Sequence, residues 1–209
     1  MNIISVENVQ KKINGNNILQ DISLKLSTGK CYGFIGNNGS GKSMLLKCIC
    51  GFIRPDSGTI FVQGKRIIGG KNFIENAGVL IETPEWMNNL TGLMNLQILA
   101  EIRGVISDRE IIEAIEKVGL SEVKDKKVKK YSLGMKQRLR IAQAIMENPE
   151  ILVLDEPFNG LDRAGIIEIQ QLLNGYKEKG KSILLTSHDE RQIDFLCDEV
   201  FELSEGKII

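Results

Sequence analysis

One short segment constrains the fold of this chain more than any other: a glycine-rich stretch between a strand-like apolar run and a helical pattern. Its eight residues are Gly36, Asn37, Asn38, Gly39, Ser40, Gly41, Lys42 and Ser43. Their spacing matches G-x-x-x-x-G-K-[ST], a phosphate-binding loop, which needs a strand before it and a helix after it. Cys31–Ile35 supplies the strand and Ser43–Cys50 the helix. The segment therefore predicts an α/β fold with a phosphate site.

The residue types in this loop suit a bound triphosphate. Glycines let the backbone curl so that successive N–H groups point at the β-phosphate, and the following helix adds the positive end of its dipole. We expect Lys42 to neutralise charge on the β- and γ-phosphates and the Ser43 hydroxyl to bind Mg²⁺. The alternative, a glycine-rich turn that happens to precede a lysine, is disfavoured by the flanking strand and helix.

Two carboxylates follow the apolar strand Ile151–Leu154, at the carboxyl end where ligand sites of α/β sheets form. We expect Asp155 to hold Mg²⁺ through water and Glu156 to polarise the water that attacks the γ-phosphate. A strand that ends in Asp-Glu is ordinary by itself. The phosphate loop in the same domain is what favours a catalytic interpretation.

The only histidine, His188, comes just after the predicted strand Ser182–Thr186. It should therefore lie at the same sheet edge as Asp155, where its imidazole could donate a hydrogen bond to the γ-phosphate. A structural role is the more common one for a lone histidine, so this assignment depends on the neighbouring motifs.

A further anion site is predicted at the start of the helix Leu133–Glu147. Ser132 is a natural N-cap, Gly134 leaves room for close approach, and the helix N-terminus carries a partial positive charge. Without the other motifs, an ordinary capped helix would be the better interpretation.

Short β-branched runs alternate with longer helical patterns along the chain, which is typical of an α/β sheet. Further predicted strands are Ile3–Val9 and Ile22–Leu26 (an antiparallel pair), Thr59–Val62, Val79–Ile81, and a hairpin of Val200–Leu203 and Lys207–Ile209. Further predicted helices are Leu93–Arg103, Asp108–Val118 and Arg163–Lys179. The sequence thus predicts a single domain, 1–209, in which residues 84–148 form a helical subdomain inserted into a nucleotide-binding core of residues 1–83 and 149–209.

Composition narrows the function. The 27 basic and 27 acidic residues cancel, which argues against a nucleic-acid partner, and the basic run Lys124–Lys130 is typical of a solvated face. The four cysteines show no metal-ligand spacing, and buried, reduced thiols in a cytosolic protein are expected. No stretch approaches the ~20 apolar residues that cross a bilayer, so we expect a chain that is soluble by itself.

The order of these motifs resembles that of the ABC transporter ATPases over nearly the whole chain. The additional matches are Ser-x-Gly-x-x-Gln at Ser132–Gln137, Asn159–Asp162 before the helix, and Ser187-His188. The resemblance implies a P-loop NTPase (RecA-like) core sheet, an N-terminal antiparallel β subdomain and an inserted helical subdomain. It also implies that Ser132–Gln137 is the signature motif, which contacts ATP held by the opposite subunit, and that His188 is the switch histidine.

The same resemblance implies hydrolysis of ATP with Mg²⁺, to power a membrane permease on a separate polypeptide. The expected partners are this multi-span permease and a second ATPase subunit, in a homodimer or a paralogue dimer. The expected location is cytoplasmic, peripheral on the inner face of the cell membrane. Residues Pro84 to Leu90 should then face the permease, although a core role for Trp86 remains an equal alternative.

Departures from the family pattern narrow the resemblance. Glu82 stands where most members have the Q-loop glutamine, and the signature contains Leu133 after its serine. Both features look like the bacitracin-resistance and lantibiotic-immunity branch of exporters, which predicts an antimicrobial peptide, drug or similar compound as cargo; other drug and peptide exporters carry similar variants. Glu82 is a predicted metal-sensing residue or, alternatively, an exposed loop acid. Ile13 occupies the usual position of the adenine-stacking aromatic, so base stacking should be weaker.

Two other classes of function remain as alternatives. One is an ABC-type ATPase that acts on the ribosome or on DNA; this class resembles twin cassettes or carries basic surfaces, unlike this neutral single cassette. The other is a nucleotide-binding regulator without turnover, which should lack Glu156 or His188. The site inventory favours the transport ATPase.

Overall fold

The computed structural model describes residues 2–82 and 86–209. Its strands are β1 (Asn2–Ile13), β2 (Asn16–Ser27), β3 (Cys31–Ile35), β4 (Ser57–Val62), β5 (Lys65–Ile67), β6 (Ala77–Leu80), β7 (Ile151–Leu154), β8 (Ser182–Ser187), β9 (Glu199–Ser204) and β10 (Lys207–Ile208). Its α-helices are α1 (Lys42–Cys50), α2 (Gly92–Arg103), α3 (Asp108–Lys117), α4 (Leu133–Ile145) and α5 (Arg163–Glu178).

Four strands form an antiparallel sheet in the order β2-β1-β4-β5. The hairpin between β1 and β2 turns at Asn14 and Gly15, which both have positive φ, and a two-residue turn of this kind matches the twist of the strands. Ile4, Val6 and Val9 of β1 are buried. This sheet therefore covers one side of the core.

The larger sheet has the order β10-β9-β3-β8-β7-β6, with parallel pairing from β9 to β6. Side chains on its two faces enter two different clusters. In β7, Ile151 and Val153 join the core beneath α1 and the antiparallel sheet, whereas Leu152 and Leu154 join the core beneath the other helices. Because both faces are covered, these strands read as continuous apolar runs.

Helices α2, α3 and α4 follow one another between β6 and β7 and pack on a common apolar core. Besides these helices, the described residues 86–148 contain two 3-10 turns and one isolated bridge between Thr91 and Lys127, and no strand. The last of these helices, α4, contacts the parallel sheet at β6.

The fold class is the predicted one, with differences at several boundaries. The three-residue strand β5 was not predicted, and β1 and β2 extend beyond their predicted ends into polar sequence. Strand β6 ends at Leu80, so Ile81 lies outside it, and α4 ends at Ile145 rather than Glu147. Polar strand ends are held by main-chain pairing with a neighbour, which side-chain alternation does not report.

Two further expectations from the sequence concern the state of the cysteines and whether any segment could cross a bilayer. All four cysteines are free thiols, and burial raises the pKa of Cys48 and Cys50 to about 12. The Sγ atoms of Cys31 and Cys197 lie 3.4 Å apart. In the described part of the chain, every helix is too short or too polar to traverse a bilayer.

Candidate functional site

The phosphate loop leaves the carboxyl end of β3 and enters α1 at Lys42. Two glycines are required by their surroundings: a Cβ on Gly36 would lie 2.1 Å from the Leu203 carbonyl oxygen, and Gly41 has φ of 110°. Gly41 is the N-cap of α1 and offers no side-chain acceptor, so the first N–H groups of the helix remain available to a ligand. This geometry suits an anion.

Lys42 lies across the loop, 6% exposed, and its Nζ donates to the carbonyl oxygens of Gly36 at 2.6 Å and Asn37 at 3.2 Å. Beside it, the buried Ser40 Oγ has no hydrogen-bond partner among the described residues. A buried polar atom of this kind costs free energy unless a ligand or water satisfies it. A cavity of about 280 Å³ opens here, lined by Ile18, Asn38, Gly39, Ser40, Gly41, Lys42, Ser43, Met44 and Glu156.

Asp155 and Glu156 follow β7, which is hydrogen-bonded to β8 next to β3. One buried hydroxyl on β8 orients both residues: Thr186 Oγ1 donates to Asp155 Oδ1 at 2.6 Å and accepts from the Glu156 N–H at 2.9 Å. Sequence reasoning missed Thr186 as a site residue, although it closes the predicted strand. Thr186 therefore fixes the carboxylate of Asp155 and the main chain of Glu156.

Glu156 and His188, predicted from separate strands, meet directly. His188 Nδ1 lies 2.9 Å from Glu156 Oε2, and the Glu156 side chain is 21% exposed. Glu156 also has a positive φ of 50°, which is unusual for a non-glycine residue. Glu156 also lines the cavity of the phosphate loop together with Lys42 and Ser43, so His188 contacts a residue of the cavity wall.

Two residues of α4 support this region and were missed as site residues. Gln137, 3% exposed, donates through Nε2 to the carbonyl oxygens of Glu156 at 3.1 Å and Pro157 at 2.8 Å. Arg140 donates to Gln137 Oε1 at 2.8 Å and to the Glu82 carbonyl oxygen. Gln137 belongs to the recognised signature motif, whereas no sequence signal marks Arg140.

The side chain of Glu82 makes an ion pair with Lys47 Nζ of α1 and is 71% exposed. In this arrangement its carboxylate contacts a lysine, and its role toward a metal stays a prediction. Asp155 and Ser43 offer a carboxylate and a hydroxyl, and such hard oxygen donors fit Mg²⁺.

The structure does not bring Ser132 and Gly134 to the cavity of the same chain. Ser132 caps α4 by accepting from the Met135 N–H at 3.2 Å and is exposed, as is Leu133. Gly134 packs on the loop before α5, where a Cβ would lie 2.9 Å from the Gly160 carbonyl oxygen. The described residues that line the cavity include none from the first turn of α4.

Two further predictions concern the segment around Trp86 and the position of Ile13. Trp86 is partly buried and packs against the core of the helices, which favours its core role, while Met87 beside it is exposed. Residues 83–85, including Pro84, lie outside the described part of the chain. Ile13 is 40% exposed at the end of β1.

Comparison with known proteins agrees with this geometry. The family model described as ABC transporter matches residues 19–159. The chain is 40% identical over 206 residues to the ABC transporter ATP-binding protein YybJ of Bacillus subtilis, covering 99% of this chain and 94% of that protein. It is 41% identical to the bacitracin transport ATP-binding protein BcrA of Enterococcus faecalis, with 99% and 68% covered. Identity to the lantibiotic transport ATP-binding protein SrtF of Streptococcus pyogenes is 35%, with 99% and 89% covered.

Solved structures give the same family. The ADP conformation of MJ1267, an ATP-binding cassette of an ABC transporter, superposes with a TM-score of 0.84 at 27% identity, covering 100% of this chain and 90% of that one. The chain cbiO1 from Clostridium perfringens, part of an ABC transporter complex, gives a TM-score of 0.85 at 28% identity, with 100% and 87% covered.

Proposed function

Because this chain belongs to the ABC transporter family as an ATP-binding subunit with ATPase activity, we propose that Glu156 and His188 carry out its ATP hydrolysis, which powers a separate membrane permease. The observation that carries the assignment is the 2.9 Å contact between His188 Nδ1 and the Oε2 atom of Glu156, a residue that lines the phosphate-loop cavity. This contact joins the predicted base to the cavity that would hold its substrate.

The residues divide the reaction between them. Backbone N–H groups of the loop and Lys42 bind the phosphates and offset the negative charge that builds up as the γ-phosphoryl group is transferred. Glu156 orients the attacking water and accepts its proton, because its carboxylate borders the cavity. His188 holds that carboxylate in position, and Thr186 holds the backbone beneath it.

Mg²⁺, when bound, neutralises phosphate charge and templates the in-line displacement. In this proposal the Ser43 hydroxyl and, through water, Asp155 hold the ion. The hydrogen bond from Thr186 Oγ1 to Asp155 Oδ1 at 2.6 Å supports this role, because it holds the carboxylate in one orientation.

We infer the cargo and the partners from the relatives. Two relatives that match 99% of this chain are named for bacitracin and lantibiotic transport, which supports export of an antimicrobial peptide or a similar compound. Family members work with a membrane permease and form dimeric cassettes. We infer a peripheral position on the cytoplasmic face of the membrane, with a second ATPase subunit completing the assembly.

The test is Glu156→Gln. The amide is isosteric but cannot accept the proton of the attacking water, so steady-state ATPase activity should fall by about 10²-fold or more while ATP binding persists. Activity and binding of a fluorescent ATP analogue are measured on the full chain. Near-normal turnover in this variant would remove Glu156 from its assigned role, and a wild-type chain that binds ATP without turnover would favour a nucleotide-binding regulator.

A further inference from the structure

Arg140, on the third turn of α4, connects two segments that border the site. One terminal nitrogen of its guanidinium donates to Gln137 Oε1 at 2.8 Å and the other to the main-chain carbonyl oxygen of Glu82. Burial lowers the pKa of Arg140, and the nearby Asp155 carboxylate raises it in part. Its Nε is buried without a hydrogen-bond partner among the described residues. A partly desolvated cation held by two neutral oxygens calls for a functional explanation.

The contact with Gln137 fixes the direction of that side-chain amide. Because Arg140 occupies the amide oxygen, the NH₂ group must point away from it, toward the carbonyl oxygens of Glu156 and Pro157. Gln137 is almost fully buried, so it has no water with which to exchange these partners. Arg140 thereby acts on the main chain of the catalytic segment through one intermediate residue.

The main chain at Glu156 needs such support. Its φ of 50° lies in the left-handed region, which a side chain with a Cβ adopts only when its surroundings hold it there. Thr186 holds the N–H side of this residue and Gln137 the carbonyl side. If the carbonyl side is released, the residue can relax toward negative φ, and its carboxylate then turns away from the cavity.

We propose that Arg140 is a positioning residue for hydrolysis: it orients Gln137 so that Glu156 keeps its strained backbone, and it ties this arrangement to the loop at Glu82. The inference rests on the proposed function of Glu156. The Glu82 carboxylate pairs with Lys47 of α1, so Arg140 connects the signature helix through Glu82 to the helix of the phosphate loop and through Gln137 to the catalytic segment. A planar fork can serve acceptors in two directions at once, which an ammonium group does less well.

Steady-state kinetics of the full chain test the proposal. Arg140→Met keeps the length of the side chain but removes both donors, so kcat should fall about tenfold while KM for ATP changes less than about twofold. Arg140→Lys should give an intermediate kcat, because it can serve one acceptor. The matched control is Arg109→Met, which removes an exposed arginine of α3 that pairs with Glu113, and it should keep the wild-type kcat.

A double-mutant cycle separates positioning from general stabilisation. Gln137→Met should lower kcat by a similar factor, and adding Arg140→Met to it should cost less than about twofold more, because the path to Glu156 is already cut. An unchanged kcat in Arg140→Met, or losses that multiply in the double variant, would overturn the proposal. If thermal unfolding shows that Arg140→Met is not folded, the cycle is repeated with Arg140→Lys in the wild-type and Gln137→Met backgrounds. The same two outcomes then decide the proposal. The proposed function is tested separately, by turnover in the wild type and its loss in Glu156→Gln, whatever the Arg140 variants show.

Discussion

At the scale of single residues, the Glu82 carboxylate has two candidate partners, a predicted Mg²⁺ ion and the ammonium group of Lys47. The sequence predicts a metal-sensing role, whereas the structure pairs it with Lys47 Nζ on α1. The carboxylate is 71% exposed, and exposed ion pairs contribute only about 0–1 kcal/mol. A divalent ion near the γ-phosphate could therefore displace the lysine at little cost, so the two roles are compatible as successive states.

If Mg²⁺ and Lys47 compete for the Glu82 carboxylate, substitutions of Glu82 and of Lys47 should shift the Mg²⁺ requirement of ATPase activity in opposite directions. Glu82→Gln should raise the Mg²⁺ concentration for half-maximal ATPase activity by about threefold, because a carbonyl dipole replaces a full negative charge. Lys47→Gln should lower it, because the carboxylate loses its competing partner. The measurement is a Mg²⁺ titration of ATPase activity at saturating ATP.

A control for these variants is Lys65→Gln, which breaks an exposed pair with Glu75, outside the lining of the phosphate-loop cavity, and should leave the titration unchanged. If Glu82→Gln and Lys47→Gln both reproduce the wild-type titration, Glu82 is an exposed loop acid without a metal-sensing role.

What the sequence reveals at this scale depends on whether a residue acts alone or through another. The loop residues and the pair of carboxylates were predictable because their chemistry follows from residue type and spacing. The meeting of Glu156 with His188 was expected only as a shared sheet edge. The links through Thr186, Gln137 and Arg140 were not predictable, because they depend on which side chains face each other across separate elements.

At the scale of elements, α4 approaches the parallel sheet at a glycine. A Cβ on Gly78 of β6 would lie 1.8 Å from the main-chain oxygen of Ala144, a contact that real Cβ atoms do not make. Since both atoms belong to regular elements, the helix must move if the glycine is replaced. The position of the signature helix thus depends on this one residue.

We expect Gly78→Ala to lower the free energy of unfolding by about 1–3 kcal/mol, because an added methyl group overpacks the contact between β6 and α4. The matched control is Gly175→Ala in α5, where a Cβ has open space. That variant should gain roughly 0.5–1 kcal/mol, since alanine restricts the unfolded chain and favours the helix. Thermal unfolding of both variants provides the measurement, and equal shifts in the same direction would contradict the close approach.

Most elements were predictable because apolar periodicity sets them, and their order in the chain sets the parallel sheet. The exceptions share a cause. Strand β5 has two exposed residues out of three, and it forms because its main chain pairs with β4. The division into a core of 1–83 and 149–209 and an inserted subdomain of 84–148 stays a prediction, since element order alone does not measure how independently the parts behave.

At the scale of the whole molecule, one chain carries two helix termini that are predicted to bind anions, and they do not share a cavity. The phosphate loop opens α1, and Ser132 caps α4, yet the described lining of the cavity includes no residue from the start of α4. Ser132 and Leu133 instead lie exposed on the surface, Leu133 at 71%. The family resemblance implies that this exposed terminus contacts ATP held by another subunit.

These features predict a site shared between two copies. When a partner stacks head to tail, its α4 terminus can close the side of the γ-phosphate that Lys42 leaves open. ATP then bridges the chains, and hydrolysis weakens the contact. Specific ATPase activity should therefore rise with protein concentration through the low micromolar range. The Glu156→Gln variant should elute as a dimer with ATP and Mg²⁺ and as a monomer without them.

Complementation gives an independent measurement of the same arrangement. Lys42→Ala removes the phosphate-loop cation, and Ser132→Arg replaces the cap of α4 with a bulky cation at the exposed terminus. Each variant should be inactive alone, because both of its sites lack one half. A mixed dimer contains one site with both halves intact, so mixing should restore part of the activity.

Recovery shrinks if both sites must act together, and the concentration series is therefore the stronger test. Flat specific activity from nanomolar to high micromolar protein, with no ATP-dependent dimer of Glu156→Gln, would show that one chain hydrolyses ATP without its copy.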